Sequence, residues 1–496
     1  MGCSVMSLQI RRDDRRLRAF DPEDPSYNDE EDDGEIRILV KYSATEDVGS
    51  CSQHSKYGEP DFVLRSINVA VYTVDRRRAR HAMRRMQETP GVDMVEYDQP
   101  VYALSSSSSS SSPFEALQQH LRGIQNYSPE PEIPYGIKMV QAPEVLAAAK
   151  AEGREPTPIK FCIIDTGYGM GHPDLPSSPH VTGFNSINDG HAFIDRQGHG
   201  SHVAGVIGAV GKNKRGLVGV NPDDSKFSFH IAKAMNDTGI GTSTAVLQSL
   251  DSCVEAGAKI ASMSLSMPTP SEITGRVFQH YYENDLLVIA AAGNEGDNSH
   301  AYPASFPHVV SVAAVNEEGH VASFSQYNDQ VELAAPGVLI KSTFTANDGT
   351  EFMYRELCGT SMATPHVSGV AGLVWSYFPE CTNHQIRNVL LLTAKDMGSP
   401  GCDDSYGFGL VQAKAAYDLI SEKGCSAGGE AVSVGKSPGG CKMLESLNAN
   451  SERPSLSADE EDLMEIPSTL KCGNFKTFGD CLSNRCEWYW LKNGCI

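Results

Sequence analysis

The sequence contains no run of the roughly 20 apolar residues that a membrane-spanning helix requires, so no helical membrane span is expected. Its start also lacks the apolar core of a signal peptide, because Ile10 is followed at once by RRDDRRLR. Met1, Gly2 and Cys3 suggest acylation, but position 6 is Met rather than Ser or Thr, and the myristoylation pattern fails. Positive charge is scarce. The 41 Lys and Arg stand against 63 Asp and Glu, and a net charge of −22 argues against nucleic acid or an anionic membrane as the main partner. Cysteine is not scarce: there are 13, and Cys472, Cys481, Cys486 and Cys495 crowd the last 25 residues. So many cysteines are unusual in the cytosol. They point to the secretory pathway or the extracellular space. The missing leader leaves open an incomplete start, an unconventional route or an intracellular protein.

With 496 residues the chain is long enough for two or more domains. Residues 1–35 mix basic and acidic runs with little apolar content and read as disordered. From Ile36 the pattern changes. Residues 37–42 (RILVKY) read as a strand, Ile67, Val69 and Val71 alternate as a half-buried strand, and residues 92–97 (VDMVEY) alternate again. Between them Ala79, Ala82, Met83 and Met86 share one helix face. The opposite face carries Arg76, Arg77, Arg78, Arg80, Arg84 and Arg85 and reads as solvated, with no aromatic platform for RNA. This β-plus-α module spans residues 36–104.

Eight consecutive serines, residues 105–112, open a flexible segment that runs to about residue 130 and is expected to be accessible to proteases. The largest region covers residues 131–421. Continuous apolar runs at 159–164, 260–265, 286–292 and 309–315 alternate there with helical patterns, as in an α/β fold with a parallel sheet buried on both faces. Residues 422–470 read as a linker and 471–496 as a small module stapled by two disulfides, with three pairings possible.

Three apolar runs end in Asp165, Ser264 and Asn294, and ligands in open α/β sheets bind at the carboxyl ends of strands. Residues 359–366 (GTSMATPH) place Ser361 at the start of a helical pattern running to about Phe378, where unpaired N–H groups favour a developing anion. Pro365 is expected within the first helical turn. Alone, Ser361 reads equally as a helix cap. A serine hydroxyl is a poor nucleophile unless a base takes its proton, a group orients that base and donors receive the oxyanion. His199, in GHGSHVAG, supplies a base in a small-residue setting; His202 reads as structural rather than a metal ligand. Asp165, in DTG, supplies the orienting carboxylate; a lone DTG also marks aspartic proteases, which need two such aspartates. Asn294, in AAAGNEG, supplies an uncharged donor.

Asp165, His199 and Ser361 follow the chain order of the subtilisin triad. With the stretches IIDTGYGMGHPDL, GHGSHVAGVIGAV, GLVGVNP, SMSLS, AAAGNEG, YPASFPHVVSVAAV, LAAPG and GTSMATPHVSGVAGLVW, residues 131–421 resemble the catalytic domain of the subtilisin-like (subtilase) serine endopeptidases. The resemblance implies a three-layer fold with a mostly parallel central sheet. It also implies that residues 36–104 are a ferredoxin-like propeptide, an intramolecular inhibitor removed by cleavage between about residues 104 and 131. By the same resemblance Ser361 is the nucleophile, His199 the general base and acid, Asp165 its orienting group, and Asn294 the oxyanion donor. Gly239, Ile240 and Gly241 would pair with substrate on one side, and Ser264, Leu265 and Ser266 on the other, with Ala291 and Gly293 on the wall facing the S1 pocket. Protein and peptide substrates and a monomeric enzyme are expected.

Two departures from the family pattern matter. Ser266 and Met267 replace the paired glycines common after Ser-Leu, which narrows the S1 pocket. Asp174 matches a calcium ligand, but the ligand loop reads KNKR at residues 212–215 and Pro131 stands where a glutamine is usual. A weak or absent calcium site, and no other cofactor, is therefore expected. Eleven cysteines follow residue 131, an odd number, with Cys162 the best candidate for a free thiol, Cys381 and Cys402 a candidate pair, and Cys358 open. The rival functional reading is a vestigial protease that binds or adheres through its Cys-rich tail.

Overall fold

A computed structural model describes residues 34–43, 58–104, 131–346, 349–429 and 441. The chain forms two compact units, Met1–Ser451 and Glu452–Ile496, and the described residues all belong to the first. Most of residues 1–35, read as disordered, the serine run with the expected maturation segment, most of residues 422–470, read as a linker, and the expected Cys-rich module lie outside them.

Strands β1 (Glu35–Tyr42), β2 (Phe62–Leu64), β3 (Val69–Asp75) and β4 (Val92–Tyr97) form an antiparallel sheet in the order β2-β3-β1-β4, crossed by helix α1 (Ala79–Gln87). The pairing fits the expected ferredoxin-like module. Ile38, Val40, Tyr72 and Val74 pack with Ala79, Ala82 and Met86 on one face. Here the sequence reading needs correction. The strand is not half-buried but buried on both faces: Ala70, Tyr72 and Val74 face α1, while Val69 and Val71, with Leu39, pack against the main body, and Ile67 belongs to a 3-10 turn before the strand. Alternation along one strand cannot show that a second domain covers its other face. The arginine face of α1 is exposed at Arg77, Arg78, Arg80, Arg84 and Arg85.

Strand β5 (Pro100–Ala103) leads from this module into the main body. The body contributes β6 (Ile159–Asp165), β7 (Val181–Asn185), β8 (Phe227–Lys233), β9 (Ile240–Thr242), β10 (Ile260–Met263), β11 (Leu265–Ser266), β12 (Leu287–Ala291), β13 (Val309–Val315) and β14 (Val331–Pro336). All but β9 and β11 build one seven-stranded sheet, ordered β14-β13-β12-β10-β6-β8-β7, and every pairing in it is parallel. Apart from the edge strand β7, its strands are buried on both faces, which is why they read as continuous apolar runs. Phe161 and Ile163 of β6 face a core shared with helices α2 (Tyr135–Met139), α3 (Ala142–Ala151) and α4 (His199–Gly208) and with three helices from the C-terminal part of the body. Cys162 and Ile164 face a second core shared with α5 (Ser243–Glu255) and α6 (Glu272–Glu283). Helices α7 (Thr360–Tyr377), α8 (Asn383–Leu392) and α9 (Ala413–Lys423) complete the first layer, and β15 (Ile340–Ala346) pairs with β16 (Glu351–Leu357) in a separate hairpin. The chain thus has the expected three-layer, subtilisin-like architecture.

Helix α7 begins at Thr360, so Pro365 lies beyond the first turn, inside the helix. A proline there removes the N–H that would bond to the carbonyl four residues back. That carbonyl belongs to Ser361, and it accepts instead from Ser264 Oγ at 2.8 Å. The serine expected to be the nucleophile is therefore tied to the end of β10 by the defect the proline creates.

Two of the cysteine expectations fail. Cys162 is not free but bonded to Cys253, joining β6 to α5, and Cys381 and Cys402 do not pair with one another but with Cys425 and Cys441. Cys358 is disulfide-bonded as well. Cys162 reads as a buried apolar residue, and only the packing of α5 on that face of the sheet brings a partner to it.

Candidate active site

Asp165 is the last residue of β6 and is fully buried. Its Oδ1 accepts the Thr166 N–H at 2.7 Å and lies 2.7 Å from His199 Nδ1. This contact fixes the proton of the neutral imidazole on Nδ1 and leaves Nε2 as the basic nitrogen. His199 opens helix α4. The first turn of that helix lies directly on the 165–167 loop, since a Cβ on Gly200 would stand 2.2 Å from Gly167 O. The small residues around His199 serve this close approach. Burial opposes a charge on His199, but the charge and hydrogen bond of Asp165, with the charge of Asp195, outweigh it and hold its pKa above the ordinary value.

His202, one turn on, belongs to the scaffold. Its Nε2 donates to Ile340 O and Arg355 O at 2.9 and 3.0 Å, and burial pushes its pKa down to about 3, so it stays neutral. Among the described residues no metal cluster includes it.

Asn294 stands in the turn after β12. Its Oδ1 accepts from both the backbone N–H and the hydroxyl of Thr360, each at 2.9 Å. The amide is thereby turned so that Nδ2 donates to Leu104 O at 2.9 Å. The same carbonyl accepts a hydrogen bond from the Ser361 hydroxyl, whose second contact is Ser264 O at 3.3 Å. Glycine at 359 is needed here: a Cβ would come 3.0 Å from Leu104 O and 3.2 Å from Asn294 Nδ2. Among the described residues His199 Nε2 has no hydrogen-bond partner, and the Ser361 hydroxyl donates to Leu104 O.

Leu104 arrives by way of β5, which lies antiparallel between β11 and β9. Ala103 pairs with Leu265, Tyr102 with Ser266 and Ile240, and Val101 with Gly241. Ala103 N donates to Gly239 O at 2.8 Å and Leu104 N to Ser264 O at 3.2 Å. Six of the eight expected substrate-binding residues thus touch this strand. Ala291 is buried at the end of β12 and Gly293 lies in the turn before Asn294; among the described residues neither bonds to β5.

Sequence reasoning missed Leu104, Thr360 and Asp195. Leu104 was legible only as the end of a module, and Thr360 only as the neighbour of Ser361. Asp195 had one signal, a carboxylate just ahead of a glycine-rich helix start.

An extended strand clamped between two edge strands, one carbonyl against a serine at a helix N-terminus and an amide donor, with an aspartate-held histidine on a helix packed against that of the serine, is the arrangement of a serine endopeptidase. The chain belongs to the subtilase family. The model of that family matches residues 157–409. Subtilisin Savinase of Lederbergia lenta is 38% identical over 287 residues, covering 57% of this chain and 98% of that protein. Subtilisin DY of Bacillus licheniformis is 36% identical over 291 residues, with the same coverages. The crystal structure of the psychrophilic subtilisin-like protease Apa1 from the Antarctic psychrotroph Pseudoalteromonas sp. AS-11 superposes with a TM-score of 0.53 and 28% identity, covering 59% of this chain and 99% of Apa1. This protein is a subtilisin-like serine endopeptidase.

Proposed function

We propose that the protein is a self-processing zymogen whose first substrate is its own Leu104–Ser105 bond. The position of Leu104 O, between Ser361 Oγ and Asn294 Nδ2, carries this reading. Ser361 attacks the Leu104 carbonyl carbon while His199 Nε2 takes the hydroxyl proton. Asp165 holds the resulting imidazolium, and Asn294 with the Ser361 N–H receives the oxyanion. His199 then protonates the leaving amine of Ser105, and water hydrolyses the acyl-enzyme by the same steps in reverse. Other substrates are extended peptides that take the place of β5.

The N-terminal module fits the role of inhibitor. Asp98 Oδ1 accepts Thr244 N and Ser243 Oγ, both at 2.8 Å, capping α5, and Glu96 Oε1 accepts Glu272 N at 2.9 Å while Oε2 accepts the Ser271 hydroxyl, capping α6. The disulfides Cys162–Cys253, Cys381–Cys425 and Cys402–Cys441, with the bonded Cys358, support an oxidising, extracellular setting. Among the described residues no helix is long and apolar enough to cross a membrane.

We assign no calcium to Asp174. Its carboxylate already accepts from Asn213 Nδ2, Leu217 N and Tyr354 OH, each at 2.7 Å, so protein donors point where a cation would need oxygen ligands.

The direct test is the N-terminus of the mature protein. It is expected at Ser105, and Ser361→Ala should remain full length. A mature N-terminus elsewhere, with the 104–105 bond intact, rejects the assignment of the bond; processing of Ser361→Ala in isolation rejects the mechanism.

A further inference from the structure

Asp165 and His199 must keep one geometry although they come from different elements, a strand end and a helix start. Their own hydrogen bond does not fix the two backbones. A second carboxylate lies beside them. Asp195, four residues before His199, is fully buried. Its Oδ1 accepts Thr166 Oγ1 at 2.9 Å and Gly198 N at 2.8 Å, and its Oδ2 accepts Ser201 N at 2.8 Å and Ser201 Oγ at 2.6 Å. Thr166 follows Asp165 directly. Gly198 and Ser201 bracket His199.

We infer that Asp195 is the positioning residue of the catalytic pair, holding the Asp165 strand end and the His199 helix start in register through one carboxylate. The inference rests on the endopeptidase cycle proposed above. The network is closed on every side. Thr166 Oγ1, while donating to Asp195, accepts Gly200 N at 3.0 Å, so the 165–166 end is bonded to the helix twice over. Ser201 Oγ accepts Gly169 N at 2.9 Å, which ties the far end of the same loop. Thr345 of β15 donates to the Asp195 carbonyl at 2.5 Å, fixing the backbone behind it. Helix α4 has no side-chain cap at Gly198, and the Asp195 carboxylate takes the Gly198 and Ser201 N–H groups, while His199 N donates to Gln197 Oε1 and Gly200 N to Thr166 Oγ1. Four donors and the positive helix end neutralise the charge locally, so that a second buried carboxylate is tolerated beside Asp165. Asp195 acts through others: it bonds to neither His199 nor Ser361 side chains among the described contacts.

Its charge also reaches His199. The groups that face that imidazole are Asp165 from β6, Asp195 from the preceding loop and the neutral His202 from its own helix, and the first two favour the protonated ring. A structural role alone would leave the acid limb of the rate profile in place; a positioning carboxylate of this kind moves it.

The test compares full-length wild type with Asp195→Asn, Thr166→Val and Thr166→Ser. The readouts are the first-order rate of processing at Leu104–Ser105, kcat and KM of the matured enzyme on a chromogenic tetrapeptide, and the pH dependence of kcat/KM. Asp195→Asn is expected to lower kcat roughly 10–100-fold, the range of a slight misplacement of reacting groups, to leave KM within about twofold, and to move the acid limb to lower pH. Thr166→Val should lower kcat similarly in kind, and Thr166→Ser, which keeps the hydroxyl, should retain wild-type kcat. A folded Asp195→Asn enzyme with wild-type kcat and an unmoved acid limb overturns the inference. So does Thr166→Ser losing as much as Thr166→Val, and this pair decides the matter should Asp195→Asn fail to fold. A wild type that never processes overturns the underlying cycle and the inference with it.

Discussion

The amide of Asn294 offers the sharpest test of the site. Its Oδ1 is held by two Thr360 donors and its Nδ2 points at Leu104 O from 2.9 Å. In Asn294→Ala both effects vanish. The lost donor served the oxyanion, whose charge grows between ground and transition state, so kcat should fall far more than KM rises. Loss of such a donor in subtilisin costs about 10²–10³ in kcat, about 2.7–4 kcal/mol, and the same size is expected here. Stability should suffer separately. The buried Thr360 N–H loses its acceptor, at about 1–3 kcal/mol for a group left unpaired, while the Thr360 hydroxyl still has Gly293 O at 3.3 Å. Thr360→Val separates the two effects: it removes the hydroxyl's bond to Oδ1 and its contacts with Gly293, leaves the N–H bond to Oδ1 that orients Nδ2, and is expected to lower stability by about 1 kcal/mol with a much smaller change in kcat. Stopped-flow turnover of a chromogenic peptide, with melting temperatures measured beside it, reads both. Asn294→Ala retaining kcat within about threefold would remove Asn294 from the oxyanion site.

Other expectations follow from the same geometry. His199 must be neutral to accept the Ser361 proton, and its pKa lies above the ordinary value near 6.5; kcat/KM should therefore rise with pH, with its half-maximum above that value, and a half-maximum well below 6.5 would contradict the Asp165 contact. His202 and His366 are buried and neutral, their pKa values lowered by burial to about 3 and about 4. The unfolded chain takes up these protons near 6.5 and the native one does not, so stability should fall as pH drops from about 6.5 toward 4, by roughly 1.4 kcal/mol per pH unit for each, as denaturant titrations can check. Asp98→Ala removes the acceptor that the N-terminal module lends to the start of α5, where Thr242 still holds the Ala245 N–H, a loss of about 1 kcal/mol; after self-cleavage the N-terminal module should leave several-fold faster, seen as a shorter lag before activity. A calcium site occupied at a hundred times its Kd would add about 2.7 kcal/mol; chelation is instead expected to leave the melting temperature of the mature enzyme unchanged, and a drop of several degrees would place a cation on the protein.

Much of the fold was legible because a parallel sheet buried on both faces writes itself as apolar runs, and much of the site because strand ends carry Asp165, Ser264 and Asn294. What escaped depends on partners distant in sequence. Val69 and Val71 alternate like a half-wet strand, and nothing local shows the main body on their second face. Cys162 reads as one more apolar residue until α5 lays Cys253 against it. Pro365 breaks a local rule, and the repair comes from Ser264, 97 residues from the orphaned carbonyl of Ser361. Thr360 and Asp195 matter through what they hold, and single-residue chemistry does not reveal that.

The placement of β5 separates inhibition from catalysis. Among the described residues, the backbone bonds from Gly239, Ser264 and the β9 and β11 edges serve residues up to and including Leu104, the acyl side of the bond proposed to break. Cleavage at Leu104–Ser105 would leave all of them in place, together with the Glu96 and Asp98 caps and the buried face of Leu39, Val69 and Val71. The cleaved module would then remain bound as a product whose affinity is set mostly outside the cleft, and chemistry alone would not liberate the enzyme. A peptide substrate has only the cleft contacts and departs once cut. On this reading the same strand geometry yields an inhibitor or a substrate according to whether a docked domain stands behind it. Changes on the α5 and α6 caps should therefore alter the lag before activity while leaving kcat on small peptides untouched; a cap variant with a normal lag and an altered kcat would break this separation.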